Sequence, residues 1–331
     1  MIRQHLRRVL ILALPWPAVI AQAQAPQART DWAVSRTPDG QPDLQGIWTN
    51  ATITPLERPA ALAGKAFLTD AEAAALEKQI AEQRVKLDTV GSLDSGSYNQ
   101  FWYDAGTTVL STRQTSLVVD PPDGRVPVRA SAEARRDDYA AHSADSYEFM
   151  SVWDRCITRG VPGGMFPAGY NNAYQIVQTA DNVVIAYEMI HDARIIPIDN
   201  RPPLPARLQF WMGDSRGHWE GDTLVIETRN FNNQGWITTS AASGRIKGIP
   251  HTDQLHVVER LTRVSADVIS YSATIDDPEI YTRPWTVAFP LTADPDYRIY
   301  EYACHEGNYS IENILRGARA LEKAAPGKLP K

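Results

Sequence analysis

Two places in the chain put a histidine near a carboxylate, the minimum equipment for acid–base chemistry. His191 stands beside Asp192 in Ile190-His191-Asp192-Ala193-Arg194. His305 follows Glu301 by four residues in Glu301-Tyr302-Ala303-Cys304-His305-Glu306. If that second stretch is extended, Glu301, Ala303 and His305 share one face, and Tyr300, Tyr302, Cys304 and Glu306 the other. A carboxylate so placed orients a histidine base, or forms an ordinary surface ion pair. His305 or His191 is therefore the candidate base, with Glu301 or Asp192 as orienting group or acid. Arg159 and Arg194 are candidates to hold an anionic or phenolic oxygen. Tyr98, Trp102 and Trp285 offer rings for stacking, and Tyr187 and Glu306 complete the candidate ligand-binding set. Glu188, Asp192 and Arg194 read equally as a structural ion network.

The two cysteines supply a reason for remote groups to meet. Residues 1–25 have the form of an export signal: Arg3, Arg7 and Arg8, an apolar run from Val9 to Ala21, then Ala21-Gln22-Ala23 and Ala23-Gln24-Ala25 as small-x-small cleavage patterns. An exported chain meets oxidising conditions, in which Cys156 and Cys304 are expected to pair. Their Cα atoms would then lie ~5.5 Å apart, gathering Arg155, Arg159, His305 and Glu306. The same bond could be only a staple contributing ~4–5 kcal/mol.

Several chemistries find little support. His191, His256 and His305 lack the spacing of a metal site, so no metal and no cofactor is expected. No Gly-rich phosphate loop joins a strand to a helix. Gly213-Asp214-Ser215-Arg216-Gly217 fits the nucleophile-elbow pattern, but its flanks read as strands rather than strand and helix. The formal charge of −6 becomes −9 without Arg3, Arg7 and Arg8, which disfavours nucleic acid. No later stretch is long and apolar enough to span a bilayer. His142, His218 and His251 sit in polar surroundings and are expected in solvent.

The remaining pattern describes a β-rich body. Residues 26–43 read as an extended lead-in and 44–331 as one mainly-β domain. Thr69–Leu87 carries a capping box and helical spacing of Ala73, Leu76, Ile80 and Leu87. Ser131–Ala144 is expected as a helix capped by Ser131, and Thr115–Arg129 as a hairpin. Strands follow at Ala173–Gln178, Val183–Ile196, Thr223–Thr228, Leu255–Arg263, Val268–Ile275, Trp285–Leu291 and Tyr297–Cys304. A helix capped by Ser310 closes the chain, its stripe being Ile311, Ile314, Leu315, Ala318 and Leu321. Short hairpin spacing favours an antiparallel barrel-like sheet with a few flanking helices.

Segments spread over most of the mature chain resemble a large family of exported bacterial proteins. They include Arg155-Cys156-Ile157-Thr158-Arg159-Gly160, Ile190-His191-Asp192-Ala193-Arg194-Ile195-Ile196-Pro197, Gly213-Asp214-Ser215-Arg216-Gly217-His218-Trp219-Glu220-Gly221-Asp222-Thr223-Leu224 and Ala303-Cys304-His305-Glu306-Gly307-Asn308-Tyr309. The resemblance implies export and no particular reaction. Gly46-Ile47-Trp48, the strand series and the terminal helix give a looser likeness to lipocalins. The expectation is a periplasmic or secreted lyase or isomerase, without stable membrane insertion after signal cleavage. It would use histidine and carboxylate groups on a small aromatic or apolar molecule. The alternatives are a lipocalin-like carrier of an apolar ligand and a hydrolase.

Overall fold

The computed structural model describes residues 32–89 and 104–324; the expected export signal, Tyr98 and Trp102 lie outside the described residues. Ten strands form one antiparallel sheet. They are β1 (Gly46–Thr49), β2 (Val118–Asp120), β3 (Ala173–Gln178), β4 (Asn182–Tyr187), β5 (Ala193–Pro197), β6 (Asp214–Glu220), β7 (Thr223–Arg229), β8 (His256–Ser265), β9 (Val268–Asp276) and β10 (Trp285–Ala293). The order is β5-β4-β3-β1-β10-β9-β8-β7-β6, with β2 added beside β10. The sheet curls into a nearly closed barrel, which brings its two edges, β5 and β6, side by side.

Alternation in the sequence chooses what the barrel encloses. Ile269, Tyr271, Ala273 and Ile275 of β9 and Trp285, Val287, Phe289 and Leu291 of β10 are buried, and the residues between them are not. Trp48 of β1, Val257 and Leu261 of β8, and Ile185 of β4 join the same core. Large side chains thus fill the barrel. Trp285 is fully buried, its ring edge-on to Tyr281 at 5.5 Å and near Phe166, so it is core rather than a stacking platform for a ligand.

One polar cluster crosses this apolar interior. Arg194 of β5 forms an ion pair with Glu259 of β8, Nη2 to Oε2 at 2.6 Å and Nη1 to Oε1 at 3.1 Å. The same guanidinium donates to Ser215 of β6 (3.1 Å), Thr228 of β7 (3.2 Å) and the Tyr187 hydroxyl (3.1 Å). Tyr271 donates to Glu259 at 2.9 Å. Both charges are buried, and the hydrogen bonds to both carboxylate oxygens and from both Nη groups make such burial tolerable, although Arg194 Nε has no partner. Arg194 also reaches across the seam that β5 and β6 leave without a ladder. At that seam Gly217 comes closest to β5: a Cβ there would lie 2.8 Å from Ile198 and 3.0 Å from Ile196. The oxygen-holding role expected of Arg194 is thus replaced by a structural one, and Tyr187 belongs to the same interior. Ser215 faces inward from a strand, with no elbow around it.

The helices are α1 (Asp70–Thr89), α2 (Ala130–Ala141) and α3 (Ser310–Ala324). Among the described residues no helix is long and apolar enough to cross a membrane. The α1 capping box forms as expected: Glu72 N donates to Thr69 Oγ1 (3.3 Å), and Thr69 N to Glu72 Oε2 (2.9 Å). Other local expectations need correction. Ser131 lies inside α2, whose N-cap is Arg129 without a side-chain hydrogen bond. Ser310 is the first residue of α3, its N–H bound to Asn308 Oδ1 at 3.1 Å. Thr115–Arg129 is not a hairpin. Val118 pairs with Val287 instead, and Gly124 O accepts from Arg58 N, so both arms bind other partners. His251 is buried rather than solvated, packed on Phe231 at 5.4 Å, with Gly235 leaving the space for its ring.

Two strand assignments fail where the site lies. Val183–Ile196 is not one strand: β4 pairs with β3 as expected, but residues 188–192 make a tight turn into β5. Tyr297–Cys304 makes no ladder at all. The face assignment drawn from alternation through Tyr300–Glu306 lapses accordingly.

Glu259→Gln should destabilise the fold by ~3–5 kcal/mol in urea unfolding, because it strands the Arg194 charge in the interior. The double change Arg194→Met with Glu259→Leu should cost less than Glu259→Gln alone.

Candidate functional site

The register of the sheet sets which loops meet. β1 and β4 end, and β3 and β5 begin, at one end of the barrel. Tyr170, Asn171 and Asn172 come just before β3, and Glu188 just after β4. The segment after β10 reaches the same place: Tyr297 donates to Glu188 Oε1 at 2.9 Å, and Tyr302 O lies 2.7 Å from His191 Nδ1. A disulfide joins Cys156 and Cys304, with Cα atoms 5.7 Å apart, and so ties that segment to the turn at Trp153–Cys156. The expected pairing is present.

Between these parts and the start of α3 lies a cavity of about 960 Å³. Its walls carry Trp153, Tyr170, Tyr297, Tyr300 and Tyr302, and the carboxylates of Asp104, Asp154, Glu188 and Glu301. Ile311 and Ile314 of α3 and the Cys304 end of the disulfide close one side. The Tyr170 and Tyr302 rings lie nearly parallel, 8° apart in plane and 6.4 Å between centroids. The cavity is thus outside the filled barrel, unlike the interior pocket of the lipocalin-like expectation.

Glu188 is the most unusual group in the wall. It is 1% exposed, and among the described residues no cation forms an ion pair with it. Oε1 accepts from Asn171 Nδ2 (2.5 Å) and Tyr297, while buried Oε2 has no partner. Loss of solvation raises its pKa above the ordinary glutamate value, against the pull of those two hydrogen bonds, and the nearby Asp104 charge raises it further. Desolvation also raises Asp104, against hydrogen bonds from Asn172 N (3.1 Å) and Nδ2 (2.9 Å). Two carboxylates held more proton-prone than usual in one cleft are suited to exchanging protons with a bound molecule.

The backbone around Glu188 is strained. Seven non-glycine residues among those described have positive φ, and four of them border this site: Cys156 (54°), Asn171 (54°), Ile190 (62°) and His191 (49°). A β-branched residue such as Ile190 resists this conformation, and the surrounding packing must hold it there. Buried Met189, Ile190 and Ala168, with Trp153, Tyr170 and Tyr302 packed on them, do so.

The expected site residues divide. Glu301 lines the cavity, but it is exposed, and no histidine orients against it. His305 and Glu306 are exposed and outside the lining. His191 is exposed and bonded to the Tyr302 carbonyl. Asp192 turns away to Thr158, whose hydroxyl donates at 2.7 Å, and to Arg159 N at 3.3 Å; burial raises its pKa. Arg159 is buried, its guanidinium 5.8 Å from the Trp153 ring centroid and its Nε without a partner. Burial lowers its pKa below the usual arginine value. The disulfide therefore gathers Trp153, Asp154 and Tyr302 at the cavity rather than Arg155, His305 and Glu306. Glu188 and Asn171 were not singled out as a site. The available signal was a lone carboxylate between Tyr187 and the apolar pair Met189-Ile190.

Among the described residues, no three His, Cys, Asp or Glu side chains gather as a metal site. No family model, curated protein or solved structure matches the chain.

The raised Glu188 pKa has a definite consequence for stability. The folded state holds this proton more tightly than the unfolded chain, so folding is favoured as pH falls through the raised value and disfavoured above it. Glu188→Gln should raise the thermal midpoint at neutral pH, by ~1 kcal/mol of stability. The advantage should vanish below the ordinary glutamate pKa, where both states are protonated. Replacing Cys156 and Cys304 together by Ser should cost ~2–5 kcal/mol in the same measurement.

Proposed function

We propose that this chain is an acid–base enzyme, a lyase or isomerase, with Glu188 as the proton-abstracting base. The observation that carries the reading is the buried Glu188 carboxylate: one oxygen is fixed by Asn171 and Tyr297, and the other faces no protein partner. The fixed oxygen sets the orientation of the carboxylate, and the second, buried and without a protein partner, is the oxygen that would take a substrate proton. Loss of solvation makes it a stronger base than an exposed glutamate.

The histidine assignment gives way to this one. His305 is off the cavity wall, and His191 uses Nδ1 on the Tyr302 carbonyl. The substrate would lie between Tyr170 and the Tyr297–Tyr302 segment, a small molecule with a face to set against aromatic rings. Asp104, also in the cavity wall, would be the group to return a proton after Glu188 has taken one. The carrier alternative fits less well, because a carrier has no use for an unpaired buried carboxylate that weakens the fold. Export to the periplasm or beyond remains part of the proposal, resting on residues 1–25.

The test is turnover of components of a small-molecule extract by the purified protein, read by mass spectrometry. Glu188→Gln should lower product formation by about 10²–10⁴-fold, whereas His305→Gln should leave it nearly unchanged. Product formation should rise with pH through the elevated Glu188 pKa, because only the ionised form accepts a proton. Full activity of Glu188→Gln would refute the assignment.

A further inference from the structure

The charges facing the cavity are of one sign. Asp104, Asp154, Glu188 and Glu301 line it, and no described lining residue is Lys, Arg or His. Arg159 is buried, with its guanidinium against Trp153. The ring face of Trp153 that it covers is already taken by a cation. The four tyrosines 170, 297, 300 and 302 present their rings around the same space. Aromatic faces carry negative potential and attract cations, most strongly when a carboxylate is close and water is excluded.

Buried Glu188 adds an independent reason. Its Oε2 atom is out of contact with water and lacks a hydrogen-bond partner, and Glu188 is one of the residues that line the cavity. A buried polar atom is costly to leave unmatched, so an empty cavity is the less favourable state of this site. A neutral apolar ligand would leave that oxygen as it is and would bury three further carboxylates against itself. An anion would meet four like charges. Only a ligand carrying positive charge satisfies both the carboxylates and the rings.

We propose that the cavity binds an organic cation, an amine or quaternary ammonium group, seated between the Tyr170 and Tyr302 side of the cavity and the Glu188 carboxylate. This deepens the acid–base reading of the same site and rests on it for the statement that the cation is a substrate. The binding claim stands on the cavity lining alone. The cationic nitrogen also suits the chemistry: it stabilises negative charge that develops on an adjacent carbon when Glu188 removes a proton from it.

Choline and benzyltrimethylammonium are the probes, and 3,3-dimethyl-1-butanol is the neutral control, since it has the shape of choline with carbon in place of nitrogen. Isothermal titration calorimetry on the purified protein should show saturable binding of at least one cation. It should be at least about tenfold tighter than that of the alcohol. Tyr302→Leu should weaken cation binding at least about fivefold, and Tyr302→Phe, which keeps the ring, should restore it. A matched thermal midpoint for these two variants separates loss of the ring from loss of the fold. Equal affinity for the alcohol, or no saturable binding of either cation, overturns the proposal. The two failures are distinguishable. Cation binding with an active Glu188→Gln variant removes the base assignment and leaves this inference standing. An inactive Glu188→Gln variant with no cation binding does the reverse.

Discussion

The buried ion pair between Arg194 and Glu259 is the constraint from which the rest of the structure follows. It joins strands β5 and β8 through the barrel interior, and its hydrogen bonds to Ser215 and Thr228 hold β6 and β7 against β5 where no backbone ladder does. Without it, the two edge strands would present unpaired backbone on either side of an open seam. The same guanidinium binds Tyr187, the last residue of β4. Tyr187 and Arg194 flank the turn at residues 188–192, so one charge fixes both ends of the turn that carries Glu188. The left-handed conformations of Ile190 and His191 can persist only because those ends cannot relax.

The disulfide works on the opposite wall. A segment without secondary structure cannot hold four aromatic and acidic side chains in place by ladder hydrogen bonds. The Cys156–Cys304 bond supplies one anchor, and the contact of His191 with Tyr302 O and of Tyr297 with Glu188 supply two more. His191 thereby has a positioning role for the cavity wall, which explains why a histidine sits in a strained turn without facing the cavity. The barrel itself is filled by Trp48, Tyr271 and Trp285, so a ligand can be accommodated only outside it. Fold and site are separate layers: a packed barrel below, and above it a loop assembly held by one covalent bond and a few hydrogen bonds.

The sequence was legible where one rule acted alone. Strict alternation in Val268–Ile275 and Trp285–Leu291 marked β9 and β10 almost to the residue, and Thr69 with Glu72 marked the start of α1. Two thiols in a chain expected to be exported implied their pairing. Legibility failed where tertiary contacts override local pattern. The run from Val183 to Ile196 is β-branched and apolar enough for one strand, yet Tyr187 and Arg194 are drawn together around Glu259, and the residues between them must turn. The aromatic run Tyr297–Tyr302 has strand-like composition, but no neighbouring strand edge is open to it. Glu188 was hidden for a related reason. Among ionisable neighbours it looked like one member of an ion network, and only three-dimensional placement shows that Arg194 is committed elsewhere and leaves Glu188 without a cation.

That separation of charges is the link between stability and chemistry in this molecule. One carboxylate, Glu259, has its cation and four hydrogen-bonding neighbours around the pair, and it closes the barrel. The other, Glu188, has lost the possible cation to Glu259 and is supported by two neutral donors alone. Its ionised form is therefore disfavoured in the folded protein, while the packing of Met189, Ile190 and Tyr302 prevents it from turning out to water. A group held in that position regains what it lost only when something positively charged, or a transferable proton, arrives from the cavity. The fold thus leaves one carboxylate without a cation beside the cavity, while the carboxylate inside the barrel keeps Arg194.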